Sequence, residues 1–139
     1  TADAFGITKI FLTGYTGTPD ETVFARRIAK SALGAEQTVP WAACKSASRL
    51  IKDLKKEGIK VIALENNLPE NFIPHIKLLP GAKLPKLNKV ALLLGEETAG
   101  IKKNLLKLCD FSMEIPMYGQ KESLNVSVAF GIAAFVLHR

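Results

Sequence analysis

Three hydrophobic segments of the chain end in loops whose residue types suit the binding of a ligand. The loops begin at residues 63–65, 94–97 and 115–117, and two of the three contain glycines. Glycine lets a backbone approach a ligand closely and adopt positive φ, and ligands of open α/β sheets bind beyond the carboxyl ends of the strands. Turn chemistry explains any single glycine better, but the three loops together predict one binding site.

The third loop continues as a polar segment, residues 118–122, and then reads Ser-Leu-Asn-Val-Ser. A surface connection needs only turn residues and solubility, so this order indicates a loop that holds something. Ser123 or Asn125 is also a competent N-cap for the helix that follows. Glu96 and Glu97 precede another helix, whose N-terminus favours negative charge by itself.

The elements that position these loops alternate between strands and helices. Apolar, β-branched and aromatic runs predict strands at residues 7–13, 59–64, 90–94 and 111–115. Helical spacing and capping residues predict helices from Thr18 or Asp20 to about Ala32, and at residues 46–57, 101–108 and 125–138. The strand at 90–94 is of the kind that parallel sheets bury on both faces, and residues 66–88 form a long irregular connection. The predicted class is α/β, a mostly parallel sheet flanked by helices, in a single domain of residues 1–139.

The last predicted helix is apolar around its whole circumference. Its larger apolar residues include Val126, Val128, Ile132 and Phe135, with alanines between them. One sheet cannot cover every side of such a helix, which predicts a second packing surface, most simply a symmetry-related copy of the chain. The alternative is a central core helix wrapped by its own chain.

Composition narrows the function classes. The formal net charge of +6 favours a polyanionic partner such as nucleic acid. Cys44 and Cys109 match no zinc or redox spacing, and His75 and His138 each stand alone, so we expect two buried thiols in a reducing compartment and no metal. The longest apolar run is far shorter than the ~20 residues that span a bilayer, and the N-terminal residues do not read as a secretory signal. We therefore expect a soluble, cytoplasmic protein.

Two motifs carry a resemblance to a known family. The runs VALLLGEETAGI and IPMYGQKESLNVSVA resemble the second and third motifs of the SpoU/TrmH class of SPOUT RNA 2′-O-ribose methyltransferases, and TADAFG and AKSALGAEQTVPW extend the similarity over nearly the whole chain. The resemblance implies a deep trefoil knot at the C-terminus, with S-adenosylmethionine bound in the knotted region. It also implies methylation of a ribose 2′-OH in tRNA or rRNA by a homodimer that associates through residues 125–138.

The resemblance also assigns roles to particular residues. The implied cofactor contacts, largely through backbone groups, are at Leu64, Gly95, Ile115, Met117, Ser123 and Leu124. The implied catalytic residues are Glu97, Ser123 and Asn125, whereas Glu96 stands where relatives often carry asparagine. The basic side chains expected to contact RNA are those of Arg26, Arg27, Lys30 and Lys121, with Lys102 and Lys103 as further candidates.

One motif of the family is not found. Its first motif carries an arginine that contacts the target ribose or phosphate, and this chain begins one residue after that position. We therefore expect a domain that lacks the family's first strand, binds the cofactor weakly and methylates poorly. The alternative from another class is a catalytically silent module that binds RNA or cofactor. A flavodoxin-like or Rossmann-like nucleotide binder is disfavoured because no G-x-G-x-x-G follows a strand.

Overall fold

The protein is described by a computed structural model. It describes all residues of the chain except Asn67, Glu70, Asn71, Pro80, Lys83, Glu97 and Arg139. The chain divides into two compact units, Thr1–Ala47 and Ser48–Arg139.

The N-terminal unit contains two parallel strands joined through helices. Its elements are a 3₁₀ turn at Asp3–Phe5, strand β1 at Ile10–Thr13, helix α1 at Thr22–Ala32, helix α2 at Ala35–Thr38 and strand β2 at Trp41–Cys44. Strands β1 and β2 pair in parallel, with Ile10 opposite Trp41. Leu33 and Gly34, whose φ angles are 52° and 95°, connect α1 to α2. The glycine adopts this region freely, and the leucine does so at a conformational cost.

The C-terminal unit contains a four-stranded parallel sheet. Its elements are helix α3 at Ala47–Lys56, strand β3 at Lys60–Leu64, strand β4 at His75–Lys77, strand β5 at Val90–Leu94, helix α4 at Lys103–Leu106, strand β6 at Phe111–Glu114 and helix α5 at Val126–Leu137. Ala47, the first residue of α3, is the last residue of the N-terminal unit. The strand order is β4, β6, β3, β5, and every pairing is parallel. The predicted α/β class is confirmed, and the carboxyl ends of β3, β5 and β6 lie at one edge.

The core lies on both faces of this sheet. Successive residues of β3 point to opposite faces. Val61 belongs to a buried cluster with Ile51 of α3 and Leu106 of α4, whereas Ile62 belongs to a cluster with Ala133 of α5. Helices therefore cover both faces, and the loops extend from the carboxyl edge of the sheet.

Most predicted elements of the C-terminal unit have the right type. Helices α3 and α5 and strands β3, β5 and β6 differ from the predicted ranges by at most one residue at each end. The helix predicted over residues 101–108 is shorter, at Lys103–Leu106. Beyond it, Leu108 and Cys109 donate to carbonyls three residues back, so the backbone tightens and the helix ends.

Other predictions are wrong. Strand β4 lies inside the segment predicted to be irregular, and β2 was not predicted. The strand predicted over residues 7–13 begins only at Ile10, where pairing with β2 begins. Strand β5 is half-buried at every residue because it lies at the edge of the described sheet, and it is not buried on both faces.

The cap predicted for α1 is also different. The N-cap residue is Glu21, and no side chain there bonds to the helix N-terminus. Thr18 and Asp20 instead bond to each other, and Thr18 Oγ1 also donates to the Glu21 carboxylate at 3.0 Å. These polar groups satisfy one another in the turn and do not cap the helix.

Helix α5 buries one side and exposes another. Ala133 and Ala134 are buried. Val128 and Phe135 are 51% and 60% exposed, and Val126 and Ile132 are each 37% exposed. The sheet therefore covers only part of this apolar helix, as the sequence predicted.

The two cysteines differ in their surroundings. Cys109 is buried and its Sγ donates to the Leu105 carbonyl at 3.4 Å, whereas Cys44 is only half-buried, so the prediction of two buried thiols holds for one of them. Burial raises the pKa of Cys109 to about 11, despite the opposing positive charge of Lys55. This thiol is therefore neutral and unreactive near neutral pH.

Asp110 joins the start of β6 to β3. Its backbone N–H donates to the Val61 carbonyl at 2.8 Å, and its carboxylate accepts from the Val61 N–H and from Lys60 at 2.9 Å each. Lys55 Nζ lies 3.6 Å from the same carboxylate. Burial by itself would raise the pKa of Asp110, but the Val61 hydrogen bond and the two lysines outweigh it and hold the pKa below the ordinary 3.8.

We expect Asp110→Asn to lower the free energy of unfolding by about 1–3 kcal/mol near neutral pH, because a charged acceptor is lost. The pKa is lower in the folded state, so this stabilisation is fully present above the unfolded pKa and is lost as the pH falls through the folded-state pKa. Urea unfolding should show the gap between wild type and variant shrinking as the pH is lowered below 3.8. The control is Asp53→Asn, which removes a more exposed ion-pair partner and should cost less than about 1 kcal/mol. A gap that does not change with pH contradicts the prediction.

Candidate functional site

The loops after β3, β5 and β6 surround one cavity in the C-terminal unit. Its volume is about 620 Å³, within the range of small-molecule sites. Its lining includes residues 64–66, 94–96, 98–101 and 122–124, with Ile115 and Met117. The cavity lies at the carboxyl edge of a parallel sheet, where ligands of α/β proteins bind.

The structure brings the six implied cofactor-contact residues together. All of them line the cavity: Leu64, Gly95, Ile115, Met117, Ser123 and Leu124. Four are half-buried, whereas Ser123 and Leu124 are exposed. The three strand ends therefore meet at one cavity.

Gly95 and Gly100 let the second loop close on itself. The Gly100 N–H donates to the Glu96 carbonyl at 2.9 Å, which forms an isolated antiparallel bridge. A Cβ added at Gly95 would lie 2.6 Å from the Gly100 carbonyl carbon and 2.8 Å from Ile101 N. Gly100 itself has φ +63°, and a Cβ there would lie 2.6 Å from the carboxylate of Glu65. The tight turn beside the cavity therefore requires glycine at both positions.

Glu65 joins the first loop to the second. Its Oε2 accepts from the Ile101 N–H at 2.7 Å, and its Oε1 accepts from the Asn66 N–H at 3.2 Å. Charge-assisted bonds of this kind to backbone N–H groups are among the stronger ones in proteins. The carboxylate thus holds the end of β3 against the start of the segment that leads into α4.

Asn66 joins the first loop to the third. Its Oδ1 accepts from the Ile115 N–H at 3.2 Å, and its Nδ2 donates to the Ile115 carbonyl at 3.1 Å. The Glu65 N–H also donates to the Met113 carbonyl at 3.1 Å, which extends the ladder between β3 and β6. The backbone of Ile115 is therefore already engaged by Asn66, and a ligand there meets the isoleucine side chain and the second lone pair of the carbonyl.

The polar pair of the third loop has two different positions. Asn125 is the N-cap of α5, where its Oδ1 accepts from the Ser127 N–H at 2.9 Å and from Ser127 Oγ at 2.7 Å. This is the capping role that the sequence left open for Ser123 or Asn125, and Asn125 fills it. Ser123 is exposed and lines the cavity. Glu97 lies outside the described residues.

Charges at the cavity are mostly negative. The described residues of the lining include three glutamates, Glu65, Glu96 and Glu122, and one lysine, Lys103. Lys102 precedes α4 as its N-cap residue. An excess of carboxylates favours a ligand that carries a positive charge.

The basic residues predicted to contact RNA are exposed. Arg26, Arg27 and Lys30 lie on α1 of the N-terminal unit, and Lys121 lies in the third loop of the C-terminal unit. In the part of the chain that the structure describes, no group of three histidine, cysteine or carboxylate side chains could hold a metal ion. No helix of the described residues is long and apolar enough to cross a membrane.

Sequence reasoning placed Glu65 at the end of a strand beside the site without giving it a role, and it missed Asn66. Both follow β3 directly and line the cavity. Their position just beyond the carboxyl end of a strand was the available signal. Their partners, Ile101 and Ile115, are 36 and 49 residues away along the chain, so local patterns could not identify these contacts.

Comparison with known proteins places the chain in a family. Residues 1–135 match the SpoU rRNA Methylase family. The chain is 34% identical, over 99% of its length and 50% of the relative's, to the 23S rRNA (guanosine(2553)-2′-O)-methyltransferase RlmP of Bacillus subtilis. It is 35% identical, over 81% of its length and 41% of the relative's, to the 23S rRNA (guanosine-2′-O-)-methyltransferase RlmB of Coxiella burnetii.

A solved structure has the same fold. The AdoMet-bound rRNA methyltransferase from Sinorhizobium meliloti superposes with a TM-score of 0.74 at 25% identity, over 99% of this chain and 48% of that one. The chain belongs to the SpoU rRNA methylase family. It spans about half the length, or less, of the curated relatives that it matches here.

Proposed function

We propose that the protein is an S-adenosylmethionine-dependent RNA methyltransferase that transfers a methyl group to a ribose 2′-OH of rRNA or tRNA. The observation that carries the proposal is the single cavity formed by the loops after β3, β5 and β6, lined by all six implied cofactor-contact residues. The matched relatives are named as 23S rRNA 2′-O-methyltransferases, which supports the reaction and the RNA substrate.

The residues of the cavity suit the cofactor. Leu64, Ile115 and Leu124 offer apolar cover for an adenine ring, and the tight turn at Gly95 gives close access to backbone groups. The excess of carboxylates suits the sulfonium charge, which is the feature that makes the methyl group transferable when the cofactor is bound. A structure named as AdoMet-bound shares this fold, which supports the assignment.

The remaining residues have positioning roles in this proposal. The cofactor, held by the residues that line the cavity, would supply an electrophilic methyl group. The ribose oxygen would bond to the methyl carbon as the sulfur–carbon bond breaks, and the hydroxyl proton would pass to water. Alignment of the reactants supplies much of the rate in such displacements. We assign Ser123 and Asn125 to orienting the third loop and the ribose. Glu97, in the second loop, is assigned as the third catalytic residue.

We further propose a C-terminal deep trefoil knot and a homodimer. The knot rests on the resemblance of the two C-terminal motifs to the family, and the position of β6 between β3 and β4 is compatible with it. The homodimer would form through residues 125–138, because the outer side of α5 exposes apolar side chains such as Val128 and Phe135. Arg26, Arg27, Lys30 and Lys121 would contact RNA phosphates. We also propose a cytoplasmic location, where substrate RNAs of this kind are found.

Calorimetric titration with S-adenosylhomocysteine tests the cofactor site. We expect saturable binding to this chain, and we expect Leu124→Asp to weaken it by roughly tenfold or more because a carboxylate would be buried against the adenine. The matched control is Leu79→Asp, which changes another exposed leucine outside the cavity lining and should bind as wild type does. No binding by the wild-type chain would refute the cofactor assignment.

Methyl transfer is tested separately with the natural full-length protein. We expect it to move the labelled methyl group of S-adenosylmethionine to rRNA or tRNA, with the label recovered as 2′-O-methyl nucleoside. Cofactor binding without transfer to RNA would instead support the catalytically silent module.

A further inference from the structure

A second depression of the C-terminal unit is lined mainly by lysines. It has a volume of about 510 Å³, and its lining residues are Lys52, Lys55, Lys56, Lys107 and Leu108. We call this feature the lysine cleft. Neither the implied site residues nor the basic residues predicted to contact RNA belong to it.

The lysine cleft lies at the other edge of the sheet from the candidate site. Lys55 and Lys56 end α3 shortly before β3 begins at Lys60, and Lys107 follows α4 shortly before β6 begins. The candidate site lies beyond the carboxyl ends of these same strands. A five-residue strand rises about 3.3 Å per residue, so roughly 15 Å of sheet separates the two features. A ligand of the lysine cleft would therefore be separate from the bound cofactor.

Among the residues that the structure describes, the lysine cleft keeps a net positive charge after its ion pairs are counted. Lys56 pairs with Asp53 at 3.1 Å, and Lys55 lies 3.6 Å from the Asp110 carboxylate and donates to the Leu108 carbonyl at 2.9 Å. These two carboxylates also contact other cations, Arg49 and Lys60. They therefore offset at most two of the four lining charges.

The other two lysines are exposed and lie beside no carboxylate partner among the described residues. Lys52 has none of the salt bridges found there, and Lys107 Nζ lies 5.9 Å from the centre of the Phe72 ring. Lysine is a flexible point charge, which suits phosphate binding without a fixed geometry. None of the described residues that line the lysine cleft is aromatic, so these residues offer positive charge but no ring on which a base could stack.

We infer that the lysine cleft binds the phosphate backbone of RNA, away from the nucleotide that is methylated. This inference rests on the proposed function, since it takes RNA as the partner. Phosphate contacts add affinity that does not depend on the RNA sequence and that falls as the salt concentration rises. The lysine cleft would thus hold a part of the substrate about one strand length from the reacting ribose.

The test measures RNA binding by the natural full-length protein as a function of salt, with bulk tRNA and a fluorescein-labelled mixed-sequence RNA as probes. The variant carries Lys52→Gln and Lys107→Gln. We expect the slope of log K against log salt to fall by about one for each lysine, with similar losses on both probes. The same positions changed to arginine should keep the wild-type slope, since the charge remains.

The control carries Lys45→Gln and Lys86→Gln, which remove the same charge from exposed positions outside the lysine cleft. A slope and an affinity that fall equally in the control and in the variant would overturn the inference, because net charge alone would explain them. Titration with S-adenosylhomocysteine should give the wild-type affinity in both proteins. If the wild-type protein binds the cofactor but neither RNA probe, both the RNA substrate and RNA binding at the lysine cleft are refuted. If the variant keeps the full RNA affinity and salt slope of the wild type, only RNA binding at the lysine cleft is refuted.

Discussion

Gly95→Ala is expected to weaken the binding of S-adenosylhomocysteine by roughly ten- to hundred-fold, which corresponds to about 1–3 kcal/mol of overpacking. The added methyl group would lie 2.6 Å from the Gly100 carbonyl carbon and 2.8 Å from Ile101 N. Both atoms belong to the backbone, so the clash cannot be relieved by a side-chain rotation and the loop must open. Because the same loop lines the cavity, its displacement should alter the cofactor site directly.

The matched control is Gly119→Ala. This glycine also lies in a loop near the site, but a Cβ there would have no heavy atom within 4 Å. Its titration should therefore match that of the wild type. Thermal unfolding of both variants separates a local effect from a loss of the folded state. Wild-type affinity in a folded Gly95→Ala protein would show that the close approach of the two glycines does not shape the site.

Asn66→Ala is expected to lower both the free energy of unfolding and the affinity for S-adenosylhomocysteine. The side chain makes two hydrogen bonds to the backbone of Ile115, at 3.1 Å and 3.2 Å. Their loss leaves a half-buried N–H and carbonyl without these partners, which costs about 1–3 kcal/mol. The first and third loops would then no longer be tied across the cavity. Urea unfolding measures the stability, and calorimetric titration measures the affinity.

Asn66→Asp distinguishes a specific tie from simple loss of volume. A carboxylate can still accept from the Ile115 N–H, but it has no donor for the Ile115 carbonyl and places negative charge beside it. We therefore expect the aspartate to be at least as damaging as the alanine above the pKa of the new carboxyl. Asn88→Ala, at an exposed position outside the cavity lining, is the control and should have little effect. An aspartate variant with wild-type stability and affinity would argue against the two-bond tie.

Local patterns predicted the C-terminal unit better than the short elements around it. Val90–Leu94 is an unbroken apolar run and Ala47–Lys56 has a strong helical periodicity, and both were located to within one residue at each end. His75–Lys77 is a strand only because β6 pairs with it, and its three residues have no apolar pattern of their own. The length of the helix at Lys103–Leu106 was overestimated. Ile101, at the start of the predicted range, donates its N–H to Glu65 instead, and local spacing does not reveal this contact.

The sequence by itself determined the α/β class, the resemblance to the SpoU family and the three loops that form the candidate site, because periodicity, glycines and motif order are local properties of the chain. Only the tertiary structure decided which groups hold those loops together. Glu65 reaches Ile101 and Asn66 reaches Ile115 because parallel pairing brings the carboxyl ends of distant strands to one edge of the sheet. The same pairing brings the lysines at the ends of α3 and α4 into one cleft at the opposite edge. Such juxtapositions depend on strand order, which no single segment of this chain encodes.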